Sequence, residues 1–344
     1  MHSTGGSKEL PAIRAHYADI LCQLAEEKGV PRNRLLGAAG VRPAVLGHPD
    51  NLITLDQFAA LNRCALELTG DAALGLEFGG RLKFTTHGAL SQAAISSETI
   101  ADALSILIKY FRIRFSYMAL TFFTEGDEAV LQLDILRDLD GLEVFNVEVV
   151  MASIMDVNLL LFGTRLLVNG SCRLSYPAPA HGAAYRRLFG DRVSFGTGVN
   201  QLRFGRDFLD LPIALSNPVA RRVAEAQCEE EMRNLEATSS VATRVQRLLD
   251  SVRSGRLPGL EEVAGQLHTS ARTLRRQLGA EGVRFQEILD RVRHRRAIEL
   301  LTRAGLSIDE VAYRLGYSDP SNFGRAFRKW EGCSPSVYRT RQRS

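Results

Sequence analysis

Two stretches near the end of the chain, Leu260–His268 (LEEVAGQLH) and Ile308–Gly316 (IDEVAYRLG), are near copies of each other. Each has a central alanine that would let a second helix cross closely. The second copy ends at a glycine, which suits the positive φ of a tight turn, and the first copy has a histidine there, which is tolerated but less usual. A second helical pattern follows each copy, with Ser270 and Asp319 as N-caps. The spacing predicts two helix-turn-helix units, a motif whose second helix enters the major groove of DNA.

The segment between the two copies predicts a connecting helix at 285–302. Its inward-facing residues would be Phe285, Ile288, Leu289, Val292, Leu300 and Leu301. A helix of that length spans ~27 Å. With the width of each unit added, the two second helices would lie about one DNA turn, ~34 Å, apart. We therefore expect one chain to read two successive major-groove segments, and the two half-sites to differ because the two helices differ.

Charge is divided unevenly along the 344 residues, whose net charge is +4. Residues 241–344 hold 20 basic and 11 acidic side chains, whereas residues 1–240 hold 23 basic and 28 acidic. A basic C-terminal part favours a polyanion as its partner. Helix-turn-helix pairs also occur in plain helical bundles. Two copies, a spacer of fitting length and this charge together favour DNA binding.

The first two thirds of the chain predict an α+β domain. Helical patterns occupy 11–28, 55–68, 100–113, 144–162 and 181–189, and strand patterns occupy 117–124, 128–135, 165–176, 192–195 and 201–204. The sequence does not define the strand order. The predicted fold is therefore multi-domain, with an α+β N-terminal domain (1–215), a helical connector and linker (216–240) and an all-α C-terminal domain (241–344).

The second copy and its continuation, Ser307–Trp330 (SIDEVAYRLGYSDPSNFGRAFRKW), resemble the signature of the AraC/XylS family of bacterial transcription regulators. Thr269–Leu278 in the first copy fits the same signature. Gly88–Tyr110 and Leu211-Pro212 are similar to the arabinose-binding-like domain of the subgroup that contains ornithine-utilisation regulators. The resemblance implies that residues 1–215 bind an effector and dimerise, and that the protein is an effector-responsive activator.

Six residues are the candidate DNA-binding side chains. The resemblance puts base contacts on the exposed side of the first reading helix, and the second helix offers a second set; the candidates are Arg272, Arg275, Arg276, Ser321, Asn322 and Arg325. Arginine binds either guanine edges or phosphates, and asparagine reads adenine. Ser321 could instead cap its helix, and Arg325 could hold the DNA backbone or a buried acid. Pro320 stands where relatives often have a polar reader, so the second helix is expected to read fewer bases.

Three further sets of residues leave alternatives open. The basic stretch Arg291, Arg293, Arg295 and Arg296 would contact phosphates or form a solvated face. Val219, Val223 and Met232 would form a dimer helix or pack on their own domain. Polar groups of an effector pocket could include His87, Tyr110, Arg112, Arg114 and Tyr117, each of which has an ordinary structural interpretation. The effector-binding residues therefore stay unassigned.

The competing function is an enzyme domain fused to a DNA-binding tail. The sequence contains no GxSxG, GxGxxG after a strand, GxxxxGK[ST] or HExxH motif, and its cysteine spacing fits no metal site. We therefore predict no enzyme activity, catalytic residue, metal or cofactor. The predicted partners are double-stranded promoter DNA, a small-molecule effector, RNA polymerase and a second copy of the chain. The N-terminus has no signal-peptide pattern and no apolar run approaches the ~20 residues of a membrane span, so a cytoplasmic protein with no membrane partner is expected.

Overall fold

A computed structural model describes residues 13–48, 51–137, 139–162, 170–237, 240–252, 256–302 and 306–343. The chain forms two compact units, which meet in sequence at Leu235 and Glu236. The first contains helices and strands, and the second is helical. The predicted fold class, an α+β domain followed by an all-α domain, is confirmed. Within the described ranges, no helix is both long and apolar enough to cross a bilayer.

The N-terminal unit begins with a helical layer. A two-residue strand β1 (Ile13–Arg14) pairs antiparallel with β2 (Leu52–Ile53). The helices of this layer are α1 (Ala15–Glu27), α2 (Arg32–Ala38), α3 (Leu55–Thr69), α4 (Leu74–Arg81), α5 (Ala89–Ile95) and α6 (Ile100–Tyr110). Capping boxes start α3 at Thr54 and α6 at Thr99, the latter with the predicted partner Asp102. Gly70 ends α3 with a φ of 64°, a conformation that favours glycine.

A five-stranded sheet follows in the order β3-β4-β7-β5-β6. Its strands are β3 (Met118–Glu125), β4 (Glu128–Ile135), β5 (Ser171–Arg173), β6 (Val193–Ser194) and β7 (Gln201–Gly205). The β5–β6 pair is parallel and the other pairs are antiparallel. The predicted hairpin is present, with Glu125 opposite Glu128 and a φ of 57° at Gly126. Of the strand predicted at 165–176, residues 165–169 lie outside the described residues, and Ser171–Arg173 form the strand β5.

Helix α7 (Glu143–Phe162) packs against α4 at very short range, and α8 (Gly182–Phe189) lies beyond it. Two glycines of α4 allow this approach. A Cβ on Gly75 would lie 2.4 Å from the Glu148 carboxylate, and one on Gly79 would lie 2.3 Å from the Val149 carbonyl oxygen. The crossing therefore requires glycine at both positions.

The unit closes with α9 (Pro218–Ala237), the helix that the sequence analysis assigned to a connector. The compact N-terminal unit instead includes it through Leu235. Ala224 and Cys228 are buried against α5 and α6, and Met232 packs at the edge of the same cluster. Their four-residue spacing gives the helix one apolar face. Val219 and Val223 are 62% and 58% exposed, so the expectation that they pack on their own domain is wrong.

The C-terminal unit consists of α10 (Val241–Ser251), α11 (Leu260–Gln266), α12 (Ala271–Ala280), α13 (Phe285–Thr302), α14 (Ile308–Arg314), α15 (Pro320–Glu331) and α16 (Pro335–Arg343). Two apolar clusters form its core. Helix α13 contributes Ile288 and Val292 to the first cluster and Ala297 and Leu301 to the second. One continuous helix therefore joins the two helix-turn-helix units, as the spacing predicted.

Candidate nucleic-acid interface

The two predicted helix-turn-helix units have the same turn. In the first, the Thr269 amide donates to the Ala264 carbonyl at 2.9 Å, and in the second the Tyr317 amide donates to the Ala312 carbonyl at 3.0 Å. The residue before each donor has a positive φ, 54° at His268 and 83° at Gly316. The repeat seen in the sequence is therefore a repeat of backbone geometry.

Each turn folds its second helix across a small residue. Ala264 and Ala312 are 1% and 0% exposed. The second helices press buried side chains against these crossings, which are Leu274 and Leu278 in α12 and Phe323 and Phe327 in α15. Because these residues recur every four positions, they occupy one face of each helix and leave the opposite face to solvent.

The exposed face of α12 is basic. Ser270 caps this helix by accepting the Thr273 amide at 3.1 Å. Arg272, Arg275 and Arg276 are all exposed. The structure gives them no hydrogen bond or ion pair with any residue that it describes. Their guanidinium groups are therefore available to an external partner.

The exposed face of α15 is organised differently. Pro320 is the first residue of the helix, and Asp319 caps it by accepting the Ser321 amide at 2.8 Å. That backbone hydrogen bond lowers the pKa of Asp319. Since Asp319 is the cap, the alternative role of Ser321 as a cap is wrong. Arg325 donates to the Asn322 side-chain oxygen at 2.6 Å, so its partner is another candidate reader and not a buried acid.

Three of the four arginines in the basic stretch of α13 bond to the protein itself. Arg295 pairs with Asp250 of α10 at 2.5 Å, and Arg296 donates to the Leu249 carbonyl at 3.0 Å. Arg293 donates to the Leu315 carbonyl at 3.2 Å and covers the ring of Tyr317. These arginines fasten the spacer helix to α10 and to the second turn. Arg291 is exposed.

Two family models match the chain. Residues 29–213 match the arabinose-binding domain of AraC transcription regulators, and residues 263–341 match a helix-turn-helix domain. The chain belongs to the AraC family of transcription regulators. It is 38% identical over 323 residues to the ornithine utilization regulator of Pseudomonas aeruginosa, which covers 94% of this chain and 95% of that protein. The predicted family and the predicted function, a DNA-binding transcription regulator, are confirmed.

Two further similar proteins are also named as transcriptional regulators. An uncharacterized HTH-type transcriptional regulator of Mycobacterium tuberculosis is 30% identical over 327 residues, 94% of each chain. The crystal structure of transcriptional regulator CdpR from Pseudomonas aeruginosa covers 90% of this chain and 96% of its own, with 26% identity and a TM-score of 0.44. The two relatives that match over 94% of the chain are both named as regulators, and nothing supports the alternative of an enzyme domain. Among the described residues, no group of three or more His, Cys, Asp or Glu side chains could hold a metal ion.

The N-terminal unit of this AraC-family regulator contains a cavity of about 450 Å³. Two of the five predicted pocket residues, His87 and Arg114, line it. Its other lining residues include Arg14, Gly88, Glu230 and Glu231, none of which the sequence predicted as pocket residues.

The remaining predicted pocket residues lie elsewhere. The hydroxyl of Tyr110 donates to Glu229 at 3.2 Å, and that of Tyr117 donates to Asn146 at 2.8 Å. Arg112 is half-buried and does not line the cavity. The signal that could have found the missed residues is weak, because Arg14, Arg114 and Glu231 are separated by 100 residues or more in the chain.

Proposed function

We propose that this regulator binds promoter DNA with both helix-turn-helix units of one chain. Arg272, Arg275 and Arg276 would contact bases or phosphates from α12, and Ser321, Asn322 and Arg325 would do so from α15. The observation that carries this proposal is the repeated turn, which buries one face of each second helix and leaves the opposite face polar and exposed. Residues 241–344 would form the DNA-binding domain.

The N-terminal unit would bind a small-molecule effector and thereby change how the C-terminal unit engages DNA. The match of residues 29–213 to an arabinose-binding domain supports a small-molecule role for this unit. Activation through RNA polymerase and function as a homodimer are what the family resemblance implies, and a cytoplasmic location is expected from the sequence. The exposed valines of α9, Val219 and Val223, would offer an apolar surface to a second copy.

Selection from a library of random duplexes by the full chain tests the DNA-binding proposal. We expect the enriched sites to contain two unlike motifs with centres about 10 base pairs apart, because the two reading helices differ and lie on one rigid spacer. Two identical motifs, a single motif, or no enrichment over the starting library would contradict the proposed mode of reading. A control chain with Ala312→Leu, which fills the second crossing, should keep the motif read by the first unit and lose the other.

A further inference from the structure

A buried arginine faces the cavity of the N-terminal unit. The side chain of Arg114 is 2% exposed. Its Nε donates to the His87 carbonyl at 2.9 Å, its Nη1 donates to Glu231 at 2.5 Å and its Nη2 donates to the same carboxylate at 3.2 Å. A guanidinium has five N–H donors, so two remain after these three bonds. Arginine N–H groups form strong, paired hydrogen bonds with oxyanions such as carboxylates.

The backbone beside this group carries no side chain. Gly88 lines the cavity with a φ of 59° and a ψ of −131°, a combination that only glycine adopts readily. A Cβ at this position would lie 3.5 Å from Nη2 of Arg114. A side chain at position 88 would therefore contact the guanidinium at the cavity wall.

The carboxylate that accepts the hydrogen bonds of Arg114 belongs to a residue of α9. Glu231 binds Arg114 with both oxygens and also accepts from Arg14 at 2.7 Å. One carboxylate therefore serves two guanidinium groups. The adjacent Glu230 pairs with Arg233 of its own helix at 2.5 Å, and His87 is uncharged at neutral pH because burial lowers its pKa to about 3. The cavity lining therefore carries two cations, Arg14 and Arg114, and two anions, of which Glu231 bonds to both cations and Glu230 pairs with Arg233.

We propose that this cavity is the effector site, that its ligand is a small molecule bearing a carboxylate, and that the ligand binds Arg114 and Arg14 in competition with Glu231. This inference rests on the proposed effector-responsive function and adds the site and the ligand chemistry. The volume of about 450 Å³ suits a metabolite-sized acid. Planar carboxylates match the paired donors of arginine, which neutral sugars do not.

The competition would act on one end of α9. Apolar packing at Ala224, Cys228 and Met232 also holds this helix, and a charged ligand would leave that packing unchanged. Glu231 lies two turns before the end of the helix at Ala237. Displacement of its carboxylate would loosen that end, and the DNA-binding unit begins directly after it in sequence.

The test uses the full chain with sodium acetate, succinate, L-glutamate and L-ornithine, each compared with acetamide, succinamide and sodium chloride at equal ionic strength. We expect at least one acid to raise the melting temperature of the N-terminal unit by several degrees, and to do so far less in Arg114→Gln. The matched control is Arg81→Gln, which breaks another two-bond arginine–glutamate pair of the same unit, with Glu27, outside the cavity. This control should respond as the wild type does.

A second variant covers the case in which Arg114→Gln does not fold. Glu231→Gln keeps the size of the side chain and removes the competing charge, so it should bind the active acid at least about threefold more tightly in a calorimetric titration. Equal or weaker binding by Glu231→Gln contradicts the competition. Acids that act no better than chloride, or equally on wild type and Arg114→Gln, overturn the proposed site.

Binding of operator duplex separates this inference from the broader function. If a compound changes the DNA affinity of wild type and of Arg114→Gln alike, the regulator responds to an effector but this cavity is not where it binds. We expect the active acid to change the DNA affinity of the wild type and of Arg81→Gln, and to leave that of Arg114→Gln unchanged.

Discussion

Replacement of Arg276 by alanine separates base reading from phosphate binding in the first unit. The side chain is exposed and bonded to no described residue, so its loss should change the free energy of unfolding by less than about 0.5 kcal/mol. The effect must then appear in DNA binding. A base-reading arginine contributes ~1–3 kcal/mol, which is about 5- to 150-fold in affinity, and its loss relaxes the preference at one base pair. A phosphate contact would instead weaken all sequences alike and lower the salt slope by about 0.9.

The same change at Arg325 should cost less. In the free protein, Arg325 already donates to Asn322 at 2.6 Å. A base contact must compete with that hydrogen bond, whose net contribution is about 0.5–1.5 kcal/mol. We therefore expect Arg325→Ala to lose less affinity than Arg276→Ala on the same duplex.

The assay is fluorescence anisotropy with the selected duplex and all its single-base variants, at several potassium chloride concentrations. Thermal unfolding of each variant is measured alongside, so that a loss of fold is not mistaken for a lost contact. Unchanged affinity and unchanged base preference in Arg276→Ala, Arg275→Ala and Arg272→Ala would refute the assignment of α12 as a reading helix.

Three other predictions concern stability. His268→Gly should stabilise the C-terminal unit by about 1 kcal/mol and Gly316→Ala should destabilise it by a similar amount, because both positions have a positive φ. Urea unfolding followed by the fluorescence of the single tryptophan measures both changes, and opposite signs would contradict the prediction. Gly79→Ala should lower the free energy of unfolding by several kcal/mol, because its Cβ would collide with a backbone carbonyl of α7. A Cβ at Gly80 meets nothing within 4 Å, so Gly80→Ala should be neutral or stabilising. Melting temperatures from circular dichroism compare the two variants, and equal values would count against the close crossing. Burial lowers the pKa of His87 from 6.5 to about 3, so below pH 6.5 the unfolded chain takes up a proton that the folded chain does not. The free energy of unfolding should therefore fall by about 2 kcal/mol between pH 6.5 and 5. The variant His87→Gln should lose this part of the pH dependence, and an unchanged profile would show that the histidine is not buried uncharged.

Local patterns in the sequence predicted the features that local physics determines. The caps at Thr99 and Ser270, the hairpin around Gly126 and the repeated turn each depend on residues within about five positions of one another. The family and the DNA-binding function followed from the repeated turn, because the sequence signature that contains it is long and specific.

Features that depend on distant partners could not be predicted in this way. The pairing of β4 with β7 joins strands that are about 70 residues apart, and no local periodicity records it. The partner of Arg295, which is Asp250, lies on another helix, so a sequence interpretation had only neighbours in the same helix to offer. The cavity assembles Arg14, Arg114 and Glu231 from three separate parts of the chain for the same reason.

The way the first reading helix is joined to the preceding chain gives the proposed effector response a physical route. Glu281, the residue that follows α12, accepts the amides of Val241 and Ala242 at 2.7 and 2.8 Å. The start of α10 is therefore bonded to the end of the reading helix, and only a few residues of chain separate it from the end of α9. In the proposed response, a ligand that displaced Glu231 would act on the end of α9 next to this bonded pair, and a coupling of 1–3 kcal/mol would alter DNA affinity about 5- to 150-fold. Apolar burial at Ala224 and Cys228 would not transmit such a signal, because a carboxylate ligand would compete for the ion pair at Glu231 and not for apolar contacts.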